Sequence, residues 1–99
     1  MLVKEEKITR GNATSVKGEI LAAVHAGDDA LDLSNVTTLD SSAVAIVLAW
    51  IRAVQAAGRT PRLSVVPEQM MTLARLYGVR NLITAFVDAP APKAEAEKS

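Results

Sequence analysis

An acid and two hydroxyls stand side by side at Asp40, Ser41 and Ser42, directly before the longest apolar run of the sequence, Ala43–Ile51. Three kinds of chemistry suit this pattern. Asp or Ser can cap a helix, because the side-chain oxygen accepts a hydrogen bond from a free N–H of the first turn. A serine can act as a nucleophile when a base lies within hydrogen-bond reach. A serine at a helix start can also carry a phosphate, which the helix dipole stabilises, or contact a partner unmodified.

The rest of the sequence offers little to a catalytic centre. The single histidine, His25, lies at the end of the first predicted helix, where a histidine typically interacts with the helix dipole. The acid pairs Glu5 with Glu6 and Asp28 with Asp29 are typical of solvated charges. The sequence has no glycine-rich phosphate loop and no metal-ligand spacing. It therefore predicts a protein that is not an enzyme and that has no cofactor and no bound metal.

Strands and helices alternate along the chain. Apolar periodicity, bounded by Gly, Pro, Asn and Asp, predicts three strands and three helices. In order, they are a strand over Leu2–Thr9, a helix from Thr14 to the AGDD segment, a strand over Ala30–Leu33, a helix from Ser41 or Ser42 to Ala57, a strand in Pro61–Val66, and a helix from Pro67 to Tyr77. Leu82–Val87 is either a last strand or a short helix. This alternation predicts an α/β fold with a mostly parallel sheet flanked by helices.

Glycines mark weak points and ends of these helices. Gly58 and Gly78 each follow a predicted helix, where glycine is favoured because it accepts a positive φ. Gly18 lies inside the first helix and weakens it. The third helix is predicted to bury one face, which consists of Met70, Leu73, Ala74 and Tyr77.

The helix behind Asp40 is apolar on two faces. The first face is Val44, Val47, Leu48, Ile51 and Val54, and the second is Ala43, Ile46, Trp50 and Ala53. Such a helix is either enclosed in its domain or packed against another chain. Since complete burial is hard to arrange in a small domain, the sequence favours a partner surface that includes Ile46 and Trp50, and a homodimer when the protein is isolated. The alternative is that Trp50 covers a neighbouring helix of the same chain.

Composition limits the class of protein. At 99 residues, 49% of them apolar, the chain fits one small domain over residues 1–88, followed by a disordered tail over residues 89–99. Eleven acids balance eleven Lys and Arg, so no nucleic-acid partner is expected. Cysteine is absent, and the apolar run is far shorter than the ~20 residues that span a bilayer. We expect a cytoplasmic protein without direct membrane insertion.

Residues 30–79, from ALDLSNVTTLDSS to TLARLYGV, resemble the body of a STAS domain, the module shared by anti-sigma-factor antagonists and sulfate-transporter tails. The most specific element is DLSNVTTLDSS followed by an apolar helix, and the family fold agrees with the predicted order of elements. The segment PEQMMTLARLYGV is most similar to MlaB, the small cytoplasmic STAS subunit of the Mla phospholipid-transport ABC system. The sequence departs from the family pattern at Ala43, where a glycine is usual.

The resemblance implies a non-enzymatic adaptor that binds the ATPase subunit of the transporter, and through it the permease, at the cytoplasmic side of the inner membrane. The contact would lie on the loop from Thr38 to Ser42 and on an exposed helix face with Ile46 and Trp50. Asp40 would cap the helix, and Ser41, at the family's hydroxyl position, would make the central polar contact. The rival expectation is an anti-sigma-factor antagonist that is switched by phosphorylation of Ser41.

Overall fold

Short strands alternate with helices in the computed structural model, which describes residues 1–87. The elements are β1 (Lys7–Ile8), α1 (Ala13–His25), β2 (Ala30–Asp32), β3 (Thr38–Leu39), α2 (Ser41–Ala56), β4 (Arg62–Ser64), α3 (Glu68–Leu76) and α4 (Arg80–Thr84). The predicted disordered tail, residues 89–99, lies outside the described residues.

Every strand pair within residues 1–87 is parallel. β1 pairs with β3, and β2 pairs with β4, with Leu31 opposite Leu63. Isolated parallel bridges extend the β2–β4 sheet on both sides, from Leu2 to Asp32 and from Leu63 to Val87. The predicted α/β class with parallel strands and flanking helices is therefore confirmed.

Parallel pairing places the start of α2 beside the turn that follows β1. The carboxyl ends of β1 and β3 meet at one edge of their small sheet, and the Asp40 N–H donates to the Ile8 carbonyl at 3.2 Å. The β1–α1 turn and the β3–α2 junction leave this edge together. Asp40, at the start of α2, therefore lies next to Arg10, which is 30 positions earlier in the chain.

Several predicted element boundaries are corrected. The single strand expected over Leu2–Thr9 contributes to both sheets, since Leu2 bridges to β2 whereas Lys7–Ile8 pairs with β3. Strand β3 was not predicted at all. The last segment begins within helix α4 and ends with Val87 in a strand bridge.

Helix α2 occupies the centre of the core and packs against α1, α3 and α4. Both of its apolar faces contribute buried side chains, namely Ala43, Val44, Ile46, Val47, Trp50, Ile51 and Val54. Gly58 follows the helix with a φ of 78°, as its position predicted. In α3, Met70 and Ala74 are buried as predicted. The expected burial of Tyr77 is wrong: this residue is the C-cap of α3, and its side chain is 58% exposed.

Candidate partner-binding site

Asp40 holds the start of α2 in place. Its Oδ1 accepts a hydrogen bond from the Ser42 N–H at 2.8 Å, and its Oδ2 accepts one from the Arg10 N–H at 3.0 Å. The backbone of Asp40 is extended, and the residue is the N-cap of α2, which confirms the predicted cap. One carboxylate thus satisfies a free N–H of the first helical turn and at the same time fixes the turn after β1.

That turn is itself braced by a side chain that the sequence analysis did not identify. The Asn12 Oδ1 accepts from the Thr9 N–H at 2.9 Å, and the Asn12 Nδ2 donates to the Lys7 carbonyl at 2.8 Å. Asparagine commonly closes turns through bonds of this kind, so the RGN segment held the signal for the brace. The Gln69 Nε2 donates to the Leu39 carbonyl at 3.4 Å and links α3 to the same region.

The hydrogen bonds to Asp40 also determine its charge. The N–H of Arg10, followed by that of Ser42, holds the pKa of the Asp40 carboxyl below its ordinary value of 3.8, because each bond stabilises the ionised form. The carboxylate is therefore charged at neutral pH and lies at the positive end of the α2 dipole. The first turn of α2 contains no other acid.

Four residues form the α2 N-terminal surface, which we define as Thr38, Asp40, Ser41 and Ser42. Thr38 and Ser41 are exposed, whereas Asp40 and Ser42 are half-buried. Thr38 lies on β3 opposite Lys7, and Ser41 is the first residue of α2. The structure therefore brings these four predicted residues together. Asp40 holds the backbone at Ser41 and Ser42, and the Glu6 carbonyl accepts from the Thr38 N–H at 3.1 Å.

Ile46 and Trp50 do not belong to this surface, and the expected exposed face of α2 is a correction. Ile46 is 4% exposed and Trp50 1% exposed, because α1 packs on the face that was assigned to a partner. The alternative interpretation, in which Trp50 covers a neighbouring helix of its own chain, is the one observed. This burial also removes the reason given above for a homodimer.

The hydroxyls and the histidine lie at opposite ends of α2. His25 borders a hollow together with Ala53, Ala56 and Ala57 at the carboxyl end of α2, whereas Ser41 begins this helix. A helix of 16 residues is roughly 24 Å long, since each residue adds about 1.5 Å. The structure therefore does not bring Ser41 and His25 together as a nucleophile and its base.

Two further kinds of feature have no candidate within residues 1–87. No group of three or more His, Cys, Asp or Glu side chains in this range could hold a metal ion. No helix in the same range combines the length and apolar character needed to cross a bilayer.

The family of the chain follows from a match to a family model described as "Mlab, STAS domain", which covers residues 5–84. This range runs from just before β1 to the end of α4 and includes the whole α2 N-terminal surface. The chain belongs to the MlaB-type STAS domain family. The resemblance predicted over residues 30–79 is thus confirmed and extends to β1 and α1.

The STAS family limits the kinds of function to consider. Its members are in general not enzymes, and both adaptor and anti-sigma-antagonist roles occur in it. No curated protein and no solved structure gave a significant match to this STAS domain. The choice between the two roles therefore depends on the residues of its surface.

Proposed function

We propose that this STAS domain is an adaptor subunit of an ABC-type phospholipid transporter of the Mla kind, which acts in outer-membrane lipid asymmetry. It binds the ATPase subunit, and through it the permease, from the cytoplasmic side of the inner membrane. The supporting observation is the α2 N-terminal surface, where Asp40 fixes the start of α2 at Ser41 and the Glu6 carbonyl holds the backbone of Thr38, with both hydroxyl-bearing residues exposed. The MlaB description of the matching family supports the choice of partner.

The arrangement suits binding more than catalysis. The segment around Asp40 is hydrogen-bonded to β1, to Arg10 in the turn after β1 and to Gln69 of α3. A surface held in this way loses little conformational freedom when a partner docks. Ser41 makes the central polar contact, and Asp40 keeps it in position through the bonds to Arg10 and Ser42. Ile46 and Trp50 support the surface from within the core and do not touch the partner.

Affinity capture tests this proposal. The tagged protein is recovered from detergent-solubilised membranes of its own source, and the proteins that accompany it are identified by mass spectrometry. We expect an ABC ATPase together with its permease. Recovery of a soluble kinase-like anti-sigma factor in their place would contradict the transporter role.

A specific observation favours a second function, that of an anti-sigma-factor antagonist switched by phosphorylation. Ser41 is exposed at the first position of a 16-residue helix, where the positive end of the helix dipole stabilises a phosphate. Incubation with a cognate kinase and ATP, followed by intact-mass measurement, distinguishes this switch from the adaptor. A stoichiometric gain of one phosphate, lost in Ser41→Ala, supports the switch, and an unchanged mass contradicts it.

A further inference from the structure

An open groove runs along α2 from the α2 N-terminal surface toward α4. Its first part is a hollow of about 260 Å³ that borders Ser41, Val44, Leu48 and Tyr77. Its second part, of about 290 Å³, shares Leu48 and continues to Leu82. We call the two hollows together the α2–α4 groove. One wall is α2, and the other is formed by the α3–α4 turn and by α4.

The walls and rim of the groove are apolar to an unusual degree for an exposed surface. Within residues 1–87, three of the five exposed large apolar side chains lie on the α3–α4 side, namely Leu76 at 73%, Tyr77 at 58% and Leu82 at 57% exposure. Half-buried Leu48 and Phe86 border the groove as well. Exposed apolar side chains gathered on one side of a small domain favour an interaction site there.

Arginines flank this apolar surface and find no acid to pair with in the described chain. Arg52 borders the second hollow, and Arg75 and Arg80 border an adjoining cleft of about 250 Å³. None of the three takes part in an ion pair within residues 1–87, where Arg62 is the arginine that pairs, with Asp29. Arginine matches carboxylates with a fork of two hydrogen bonds, so the flank suits acidic side chains.

The zero net charge of the chain is the sum of an acidic segment, a basic segment and the residues that follow them. Residues 1–40 carry seven acids and four Lys or Arg, whereas residues 41–87 carry five Arg and a single acid, Glu68. The residues that line the groove all belong to the second segment, which has a net charge of +4, against −3 for residues 1–40. Complementary charge determines which partner can approach such a surface.

We propose that the α2–α4 groove receives an amphipathic helix of a partner protein, which places its apolar stripe against Leu48, Tyr77 and Leu82 and its acidic side chains toward Arg52 and Arg80. A helix fits a concave apolar groove through anchors three and four residues apart. A second copy of this chain that docked groove to groove would present no carboxylate to these arginines, since the lining residues include no Asp or Glu. A lipid surface, which would also accept apolar side chains flanked by arginines, is one of the outcomes that the test below distinguishes. Where the partner is the ATPase, this inference rests on the proposed function and extends its contact along α2.

Site-specific photocrosslinking tests the groove separately from the α2 N-terminal surface. A photoreactive amino acid replaces Leu82 in one variant, Thr38 in a second and, as the control, Glu19 on the exposed face of α1 in a third. Each tagged variant is irradiated in solubilised membranes of its own source, and the crosslinked peptides are identified. We expect Leu82 to crosslink to a helical segment of a partner protein with an apolar stripe and flanking Asp or Glu, and Glu19 to give no such product.

The possible products separate the two proposals. A crosslink from Thr38 to an ABC ATPase with none from Leu82 overturns the groove and leaves the adaptor role intact. A crosslink from Leu82 to an acidic helix of some other protein, with none from Thr38 to an ABC ATPase, supports the groove and overturns the adaptor role. Crosslinks from Leu82 to a second copy, to residues 88–99 of the same chain, to a lipid, or to nothing overturn the groove.

Charge reversal gives a second readout that unfolding does not mimic. Arg80→Glu is expected to reduce the recovery of the crosslinked partner at least about tenfold, since it sets like charges against each other at the contact. Lys4→Glu, which makes the same change of charge at an exposed position in the acidic segment, should leave recovery unchanged. Equal recovery with Arg80→Glu and with the unaltered protein, at equal thermal stability, would overturn the assignment of acidic side chains to the partner.

Discussion

At the scale of the residue, the site depends on the two backbone hydrogen bonds that Asp40 accepts. A side chain that both caps α2 and ties down the turn after β1 should matter to stability as well as to binding. Asp40→Ala is expected to lower Tm by about 4–8 °C at neutral pH, the range that the loss of a helix cap produces in a domain of this size. Thermal unfolding followed by circular dichroism measures it, with Glu19→Ala, an exposed acid of α1, as the control.

Comparison with Asp40→Ala also tests how the stability of the protein depends on pH. The Arg10 and Ser42 N–H groups lower the pKa of the folded Asp40 carboxyl, so its contribution is complete above the ordinary value of 3.8 and is lost as the pH falls through the lower folded pKa. The difference in Tm between the unaltered protein and Asp40→Ala should therefore be constant from pH 7 to about pH 5 and shrink in more acidic solution. A difference in Tm that is as large at pH 2 as at pH 7 would show that the charge of Asp40 does not strengthen its hydrogen bonds to the Arg10 and Ser42 N–H groups.

At the scale of the element, alanine substitutions at two glycines should change the free energy of unfolding in opposite directions. A Cβ added at Gly18 or at Gly58 would meet no atom within 4 Å, so only the backbone conformation distinguishes them. Gly18 lies inside α1, and Gly18→Ala should raise the free energy of unfolding by about 0.5–1 kcal/mol. Gly58 has a φ of 78°, and Gly58→Ala should lower that free energy by about 1–2 kcal/mol.

Chemical denaturation of the two glycine variants measures both values. Destabilisation by Gly18→Ala would contradict the helical assignment at that position. An unchanged or raised stability of Gly58→Ala would contradict the left-handed end of α2.

The burial of Trp50 gives a spectroscopic prediction about the packing of α1 on α2. Trp50 is the single tryptophan of the chain and is 1% exposed. Native fluorescence should therefore be blue-shifted, poorly quenched by acrylamide and unchanged when a partner binds. Emission typical of a solvated indole in the folded protein would restore Trp50 to the surface and contradict the core described here.

The helices could be predicted from the sequence more completely than the strands or the contacts between helices. The boundaries of α2 differ from the predicted ones by one residue, since its periodicity is long and Asp40 and Gly58 mark its ends. Which neighbour covers Ile46 and Trp50 was predicted wrongly, because a second apolar face shows that something packs there without showing what. Strand β3, two residues long, is too short for an alternating pattern.

In the candidate site, contacts between residues close together in the chain could be predicted, and contacts between distant residues could not. The Asp40 cap could be predicted because it acts within three residues of the chain. The bond between Asp40 and the Arg10 N–H could not, since it joins residues 30 positions apart and depends on the parallel pairing of β1 with β3. The groove was missed because Tyr77 was assigned to the core, whereas this residue is the exposed C-cap of α3.

At the scale of the whole molecule, the surfaces described above converge on one side of α2. Ser41 belongs both to the α2 N-terminal surface and to the first hollow of the α2–α4 groove, so a partner that contacts Ser41 can continue along the groove. The arginines that flank the groove, Arg52, Arg75 and Arg80, would attract an acidic partner as it approaches. The STAS domain thus offers one continuous binding side, with a polar end and an apolar end.

The most direct test of this account compares two variants that carry the same new acid. Ser41→Glu alters the α2 N-terminal surface, and Thr60→Glu alters an exposed loop at the amino end of β4, in the other sheet. The measurement is the amount of ABC ATPase and permease that each tagged variant, at equal thermal stability, recovers from solubilised membranes of its own source. We predict that Thr60→Glu recovers as much as the unaltered protein and that Ser41→Glu recovers about a tenth or less, because a bulky charge then occupies the contact. Equal recovery by both variants would show that the ATPase binds elsewhere and would contradict the account.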